Sequence, residues 1–312
     1  MPAQGIAAMQ RSVAACATLF PVAEKSNMLS ICVVIAVRNE AQYLQVLLPL
    51  LAAQAIDVVI VDDESTDASY EVYTAFRGHP IIGLEYLPYR GYFSLSEQLQ
   101  AKKQVYDKIK HDWIVHQDAD EVLEHFKPDL TLRDAIQEAD EGGYNVLNFE
   151  EFVFLPEPHA DYRHKNYYTD ILRYYFFEPQ KNRLNRAWRR SANFDNILSG
   201  GHIVLGDCVS LCPVNHILRH YIVLGNEHAK RKYLHRAFSD EELSRGWHRR
   251  RTNFTEHHLT IPEKSSFLFR LDKYDSRAFR KDRPSRKHYW EWTQCIVCFC
   301  GSLLLLTDFA IR

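Results

Sequence analysis

The chain has 312 residues, 46% of them hydrophobic and 25% charged, the make-up of a folded protein and not of a disordered or fibrous one. A formal net charge of −2 gives no global attraction to polyanions, so no nucleic-acid partner is expected. Seven scattered cysteines, an odd number, do not form a disulfide framework and point to a reducing compartment.

Residues 1–28 read as a flexible extension, because Pro21 interrupts the mildly apolar stretch 12–23 and spoils it as a signal peptide. Residues 31–37 are a continuous apolar run rich in β-branched side chains, the mark of a parallel strand buried on both faces. Leu44, Leu47, Leu48 and Leu51 follow at helical spacing. A second buried strand over 58–61 ends in an acidic, Ser-rich stretch that caps a helix. A third strand is predicted over 81–87, a helix over 94–110 and a fourth strand over 113–115. Beyond these come a helix over 130–141, a strand over 144–154, an aromatic strand over 167–177 and short strands through Arg189, Ile203 and Val214. A charged helical tail begins near Asn226. Strands and helices that alternate with short links predict an α/β fold with a mainly parallel sheet covered by helices on both faces. One domain is expected over 29–225, with a first half to 124 and a mixed second half, followed by a basic C-terminal region over 226–312.

Ligands in such sheets bind at the carboxyl ends of the strands. Acidic clusters stand at two of those ends, after Val61 and after Val115. Asp118 and Asp120, two apart on an extended backbone, point the same way and offer oxygen ligands to a hard divalent cation. Such a cation neutralises a diphosphate, which suggests transfer from a nucleotide-activated donor. Acidic residues also follow strands as caps, and Asp67 is read as one.

Residues 33–41 (Val-Val-Ile-Ala-Val-Arg-Asn-Glu-Ala), 59–67 (Val-Ile-Val-Asp-Asp-Glu-Ser-Thr-Asp) and 117–121 (Gln-Asp-Ala-Asp-Glu) resemble, in order and spacing, the three signatures of glycosyltransferase family 2. The resemblance implies a GT-A type fold and an inverting transferase dependent on Mg²⁺ or Mn²⁺. It would move a sugar from a nucleotide-diphospho-sugar donor to a glycan, a lipid-linked saccharide or another hydroxyl acceptor. It further implies that Ala36, Arg38, Asn39 and Glu40 line the base and ribose, and that Asp63 accepts a hydrogen bond from the base. Asp118 would approach the ribose or the metal, and Asp120 would bind the metal directly. Residues 182–186 and 218–236 resemble later segments of a narrower group in the family, which makes His220 a candidate third metal ligand and Lys232 or Arg236 a diphosphate partner.

Ile203 stands where related enzymes carry a carboxylate beside a histidine. An inverting displacement needs a base within hydrogen-bond reach of the acceptor hydroxyl, and the candidates are His202, Asp195, Asp207 and Glu227, with His202 first. Two alternatives stay open: a non-catalytic nucleotide-sugar or glycan-binding protein of the same fold, and a sugar nucleotidyltransferase, although residues 36–40 lack the glycines that hold a triphosphate. Between 215 and 290, eighteen Lys and Arg stand against nine Asp and Glu. That excess suits a solvated face, phosphate contacts or peripheral contact with the inner face of a membrane, which makes the expected location cytoplasmic. Trp247 beside Arg249, Arg250 and Arg251 suits stacking on sugar or gripping phosphate. The apolar stretch 296–306 is too short to span a bilayer and reads as a buried or interfacial segment. Its neighbours Cys295, Cys298 and Cys300 read as small buried hydrophobes.

Overall fold

The computed structural model describes residues 28–178, 184–273, 275 and 277–292. The N-terminal extension, Asn182 and Arg183, the stretch 296–306 and its three cysteines therefore lie outside the described residues.

The first half is built as its pattern requires. Strand β1 (Ile31–Val37) is buried along nearly all its length between β2 (Asp57–Asp62) and β4 (Trp113–Asp118), parallel to both. Strand β3 (Ile81–Tyr86) adds in parallel outside β2. Helix α1 (Ala41–Ala53) buries Tyr43, Leu44, Leu47, Leu48 and Leu51, each contributing about 1.5–3 kcal/mol through the surface removed from water. Two further helices follow, the short α2 (Ser69–Thr74) and the longer α3 (Leu95–Lys108); Ser94 caps α3 by accepting from the Glu97 N–H.

The register of these strands places the site. Val37 pairs with Asp62 and Ala36 with Asp118, so three strand ends finish level on one edge. Past Asp118 the chain turns through Ala119 and Asp120 into β5 (Glu121–Glu124), which pairs antiparallel with β9 (Leu211–His220) and sets Glu121 opposite His220. Helix α4 (Leu132–Glu141), closed by a Thr131–Asp134 capping box, packs behind β5.

Strands β6 (Val146–Leu155), β7 (Arg173–Phe177), β8 (Asn185–Arg189) and β10 (Phe269–Arg270) complete the sheet in the order β10-β7-β6-β8-β4-β1-β2-β3, with β9 alongside β6. Four strands on the β1 side run parallel and most of the rest antiparallel, the mixed α/β arrangement expected. Buried ion pairs lock β5 in place: Glu124 with Arg219, 2.7 Å apart, and Glu121 with Arg186.

Three expectations need correction. The aromatic stretch 167–177 is a short helix, α5 (Tyr167–Asp170), followed by β7, because Tyr167 is buried edge-on against Tyr43 and Tyr221; tertiary packing overrides the β-propensity of its aromatic residues. Ile203 lies in a turn tied by Ser199, and the strand near Val214 is the ten-residue β9. The charged tail begins with a helix, α6 (Asn226–Tyr233), but continues only as short turns, α7 (Asp240–Ser244) and α8 (Glu256–Leu259), interrupted at Gly246 and His248, whose positive φ a helix cannot accommodate. Among the described residues no helix is long and apolar enough to cross a membrane.

Candidate active site

Where β1 ends, the chain must turn sharply into α1, and Asn39 takes the left-handed conformation (φ 59°) that does so. Its side-chain carbonyl accepts from the Thr66 and Asp67 amides at 2.6 and 3.2 Å, tying this loop to the one after β2. Asp67 accepts in return from the amides of Ala41 and Ser69, the first residues of α1 and α2, so it caps as expected. Arg38 reaches across to the carbonyls of Asp63 and Glu64 and stacks on Tyr89, its guanidinium carbon 3.1 Å from the ring centroid.

These loops border a cavity of about 900 Å³ whose wall includes Ala36, Arg38, Asn39, Glu40, Asp118, Asp120, His202, His220 and Lys232. Residues up to 200 positions apart thus meet as the sequence implied, with two exceptions. Asp63 is not part of the wall; it is buried behind Gln98, which lines the cavity and donates to Asp63 Oδ2 at 3.3 Å. Glu227 is exposed on α6 and paired with Lys230 at 3.1 Å, away from the cavity. Asp195 and Asp207 are also absent from the wall, so of the four proposed bases only His202 borders it. His202 is carried by the turn after Gly201, a glycine with φ 83° at which a Cβ would stand 3.0 Å from His116 Nε2. Only glycine fits there.

The acidic pair is heavily compensated. Lys102 Nζ, fully buried on α3, lies 3.0 Å from Asp118 Oδ1 and 2.9 Å from the Gln117 carbonyl. Burial opposes ionisation of Asp118, but Lys102 and Arg186 outweigh it and hold the carboxyl well below its usual range. Asp120 Oδ2 is 2.8 Å from Lys232 Nζ and 3.5 Å from His220 Nε2, and these cations overcome burial in the same way. His220 sits between Asp120 and Glu151, its Nδ1 2.7 Å from Glu151 Oε1; burial disfavours its charge, yet the two carboxylates raise its pKa well above the ordinary value. Burial pushes Glu40 up to about 7 even though Lys232 is 3.4 Å away.

His220 thus stands with a carboxylate at each ring nitrogen, Glu151 at Nδ1 and Asp120 at Nε2. Among the described residues no group of three or more His, Cys, Asp or Glu is set out to hold a metal ion; Asp118, Asp120 and His220 of the expected ligand set all border the cavity, with Asp118 paired to Lys102 and Asp120 to Lys232. The oxygen donors still suit a hard cation. Asp120 already coordinates the Lys232 ammonium, and Glu40 Oε2 is buried with no hydrogen-bond partner. A divalent ion at Asp120 would take the place of the ammonium.

Several wall residues were not singled out from the sequence: His116, Glu121 and Glu151 from strands, Tyr89, Phe93 and Gln98 from the α3 side, and His288 and Trp290 near the end of the described chain. The Trp247–Arg251 segment, noted for its composition, contributes Trp247, His248 and Arg251.

The profile described as Glycosyl transferase family 2 matches residues 32–198, more than half of the chain. No curated protein matches it. Among solved structures, S. aureus TarS 1–349 is 14% identical with a TM-score of 0.40, over 62% of this chain and 60% of that one. The same protein in complex with UDP-GlcNAc is 16% identical with a TM-score of 0.40, over 62% and 58%. Glucosyl-3-phosphoglycerate synthase from Mycobacterium tuberculosis, in complex with Mn²⁺, UDP and glucosyl-3-phosphoglycerate, is 16% identical with a TM-score of 0.26, over 40% and 44%. The chain thus spans less than two thirds of the length of each of these.

Proposed function

The chain belongs to glycosyl transferase family 2, and on that premise we propose that it moves a sugar, with inversion, from a nucleotide-diphospho-sugar to a hydroxyl of a glycan, a lipid-linked saccharide or a similar acceptor. The observation that carries this reading is the strand register, which brings the Arg38–Glu40 loop and the Asp118–Asp120 turn level on one edge of a roomy cavity. Arg38, Asn39 and Ala36 would bound the nucleoside. Asp63 would act behind them, by fixing Arg38 and Gln98.

As the bond to the diphosphate breaks, negative charge concentrates on the leaving oxygens, and preorganised cations lower the barrier most at that point. Lys232 on α6 would meet that charge. Asp120, with Asp118 beside it, would hold a Mn²⁺ or Mg²⁺ ion, whose chemistry here would be neutralisation of the leaving diphosphate. His202 takes the acceptor proton in this reading, as the general base.

The test is a thermal-shift screen of UDP-, GDP-, CMP- and dTDP-sugars with and without Mn²⁺, followed by transfer assays on Asp120→Asn. One donor should raise the melting temperature in proportion to its occupancy, and the variant should lose roughly 10³-fold or more in turnover, as when a preorganised electrostatic group is removed. Undiminished transfer by Asp120→Asn, or no stabilisation by any donor, would reject the reading.

A further inference from the structure

Charge in the cavity is unevenly settled. At the strand ends every carboxylate of the Asp118, Asp120, Glu121 and Glu151 set has a cation within 3.5 Å. Arg236 and Arg251 also border the cavity, yet neither makes an ion pair with any described carboxylate, nor a side-chain hydrogen bond. Both are held through their flat faces instead. Arg236 lies over Phe93 and Tyr233, 4.9 and 5.3 Å from the ring centroids, and Arg251 lies over Trp290 at 5.8 Å. Stacking of this kind fixes a guanidinium while leaving its N–H edge unspent.

The two are close enough to oppose one another. Burial lowers the pKa of Arg251 from its ordinary value and repulsion from Arg236 adds to it, together outweighing the opposing pull of Tyr233, Asp120 and Glu151. Two partly desolvated like charges with no carboxylate in contact are costly, and the same arrangement becomes favourable once an oxyanion accepts from both. The donor diphosphate does not account for them. Its two charges are already met, in the reading above, by Lys232 and the cation at Asp120.

We propose that Arg236 and Arg251 form a second anion subsite and that the acceptor is a phosphate-bearing molecule, whose phosphoryl group docks there while its hydroxyl faces the donor. The proposal rests on the transferase reading and narrows its acceptor class. The aromatic lining supplied by Phe177 stacked on His288, centroids 4.1 Å apart, and by Trp290 gives the carbon skeleton of such an acceptor an apolar floor.

Glycerol phosphate, with glycerol as the uncharged control, is titrated calorimetrically into the protein alone and into the protein saturated with UDP and Mn²⁺. Glycerol phosphate should bind in both, glycerol in neither. Arg251→Met should weaken binding about tenfold to a hundredfold, the worth of one charge-assisted, bidentate contact, while leaving UDP affinity within about twofold; Arg251→Lys should fall between. Circular dichroism and melting temperature establish that each variant is folded, and Arg236→Met repeats the test at the other guanidinium. Displacement of glycerol phosphate by UDP would assign these arginines to the donor and overturn the proposal, as would binding that Arg251→Met leaves unchanged. Failure of UDP to bind at all would reject the transferase reading separately, with the Arg251 dependence of glycerol phosphate binding still deciding the subsite.

Discussion

Replacing Lys232 with methionine isolates the charge balance at the strand ends. Lys232 Nζ stands 2.8 Å from Asp120 and 3.4 Å from Glu40, and methionine keeps much of the apolar stem while removing the ammonium. Asp120 is then left to His220, 3.5 Å away, and Glu40 loses its ammonium partner. Removing one member of a buried ion pair costs roughly 3–5 kcal/mol; at about 2 °C of melting temperature per kcal/mol in a chain of this size, the expected fall is about 6–10 °C at pH 8. Glu40 sets the pH dependence. Its folded pKa, raised to about 7 from an ordinary 4.5, means that the folded protein keeps a proton the unfolded chain has released, so stability declines as pH rises from 4.5 through 7. Loss of Lys232 raises that pKa further, so the variant's deficit should be smaller at pH 5.5, where Glu40 is neutral, than at pH 8. Thermal melts of both proteins at the two pH values, each with and without Mn²⁺, give the answer. A divalent ion that competes with Lys232 for Asp120 should stabilise the variant more than the wild type. Equal melting temperatures at pH 8, or a Mn²⁺ effect untouched by the substitution, would refute the reasoning.

Asn39→Ala should cost about 2 kcal/mol in urea denaturation, from the hydrogen bonds its side chain accepts from Thr66 and Asp67 and a left-handed backbone that alanine adopts poorly; Asn39→Gly should recover the conformational part and leave a deficit of about 1 kcal/mol. His216 on β9 is almost fully buried, and burial, with His125 beside it, pushes its imidazole down to about 4. That depressed pKa contributes stability that is present above pH 6.5 and lost as pH falls towards 4, about 3 kcal/mol in all. His216→Leu should therefore lose about 3 kcal/mol less than the wild type between pH 7 and pH 4, measured by urea denaturation at the two values; parallel pH profiles would show that His216 does not drive the acid sensitivity.

The donor half was legible because its signals are local. Apolar runs such as 31–37 announce strands buried on both faces, and the residues that follow each run, Arg38–Glu40 and Asp118–Asp120, are placed by the strand ends themselves. Glu227 stands outside the cavity wall, which spacing alone does not announce, because it does not say which face of a short helix turns outward. Asp63 was assigned to the wall for a related reason: nothing near it in sequence announces Gln98, 35 residues later, lying in front. Glu151 was invisible because it stands in the middle of a strand, and only its pairing with His220, 69 residues away, gives it a part in the site. The Trp247–Arg251 segment was noticed for its composition, yet its place depends on Gly246 and His248 bending the chain back.

The two carboxylates of the turn after β4 acquire their counter-charges at very different moments of synthesis. Asp118 meets Lys102, 16 residues before it, as soon as α3 and β4 assemble, whereas Asp120 waits for Lys232, 112 residues further on. A ribosome adding about 5–20 residues per second leaves Asp120 without that lysine for roughly 6–20 s, so a nascent chain whose first four strands have already paired displays a bare acidic turn to the ions around it. The order in which the partners emerge thus makes Asp120 the later of the two carboxylates to be neutralised.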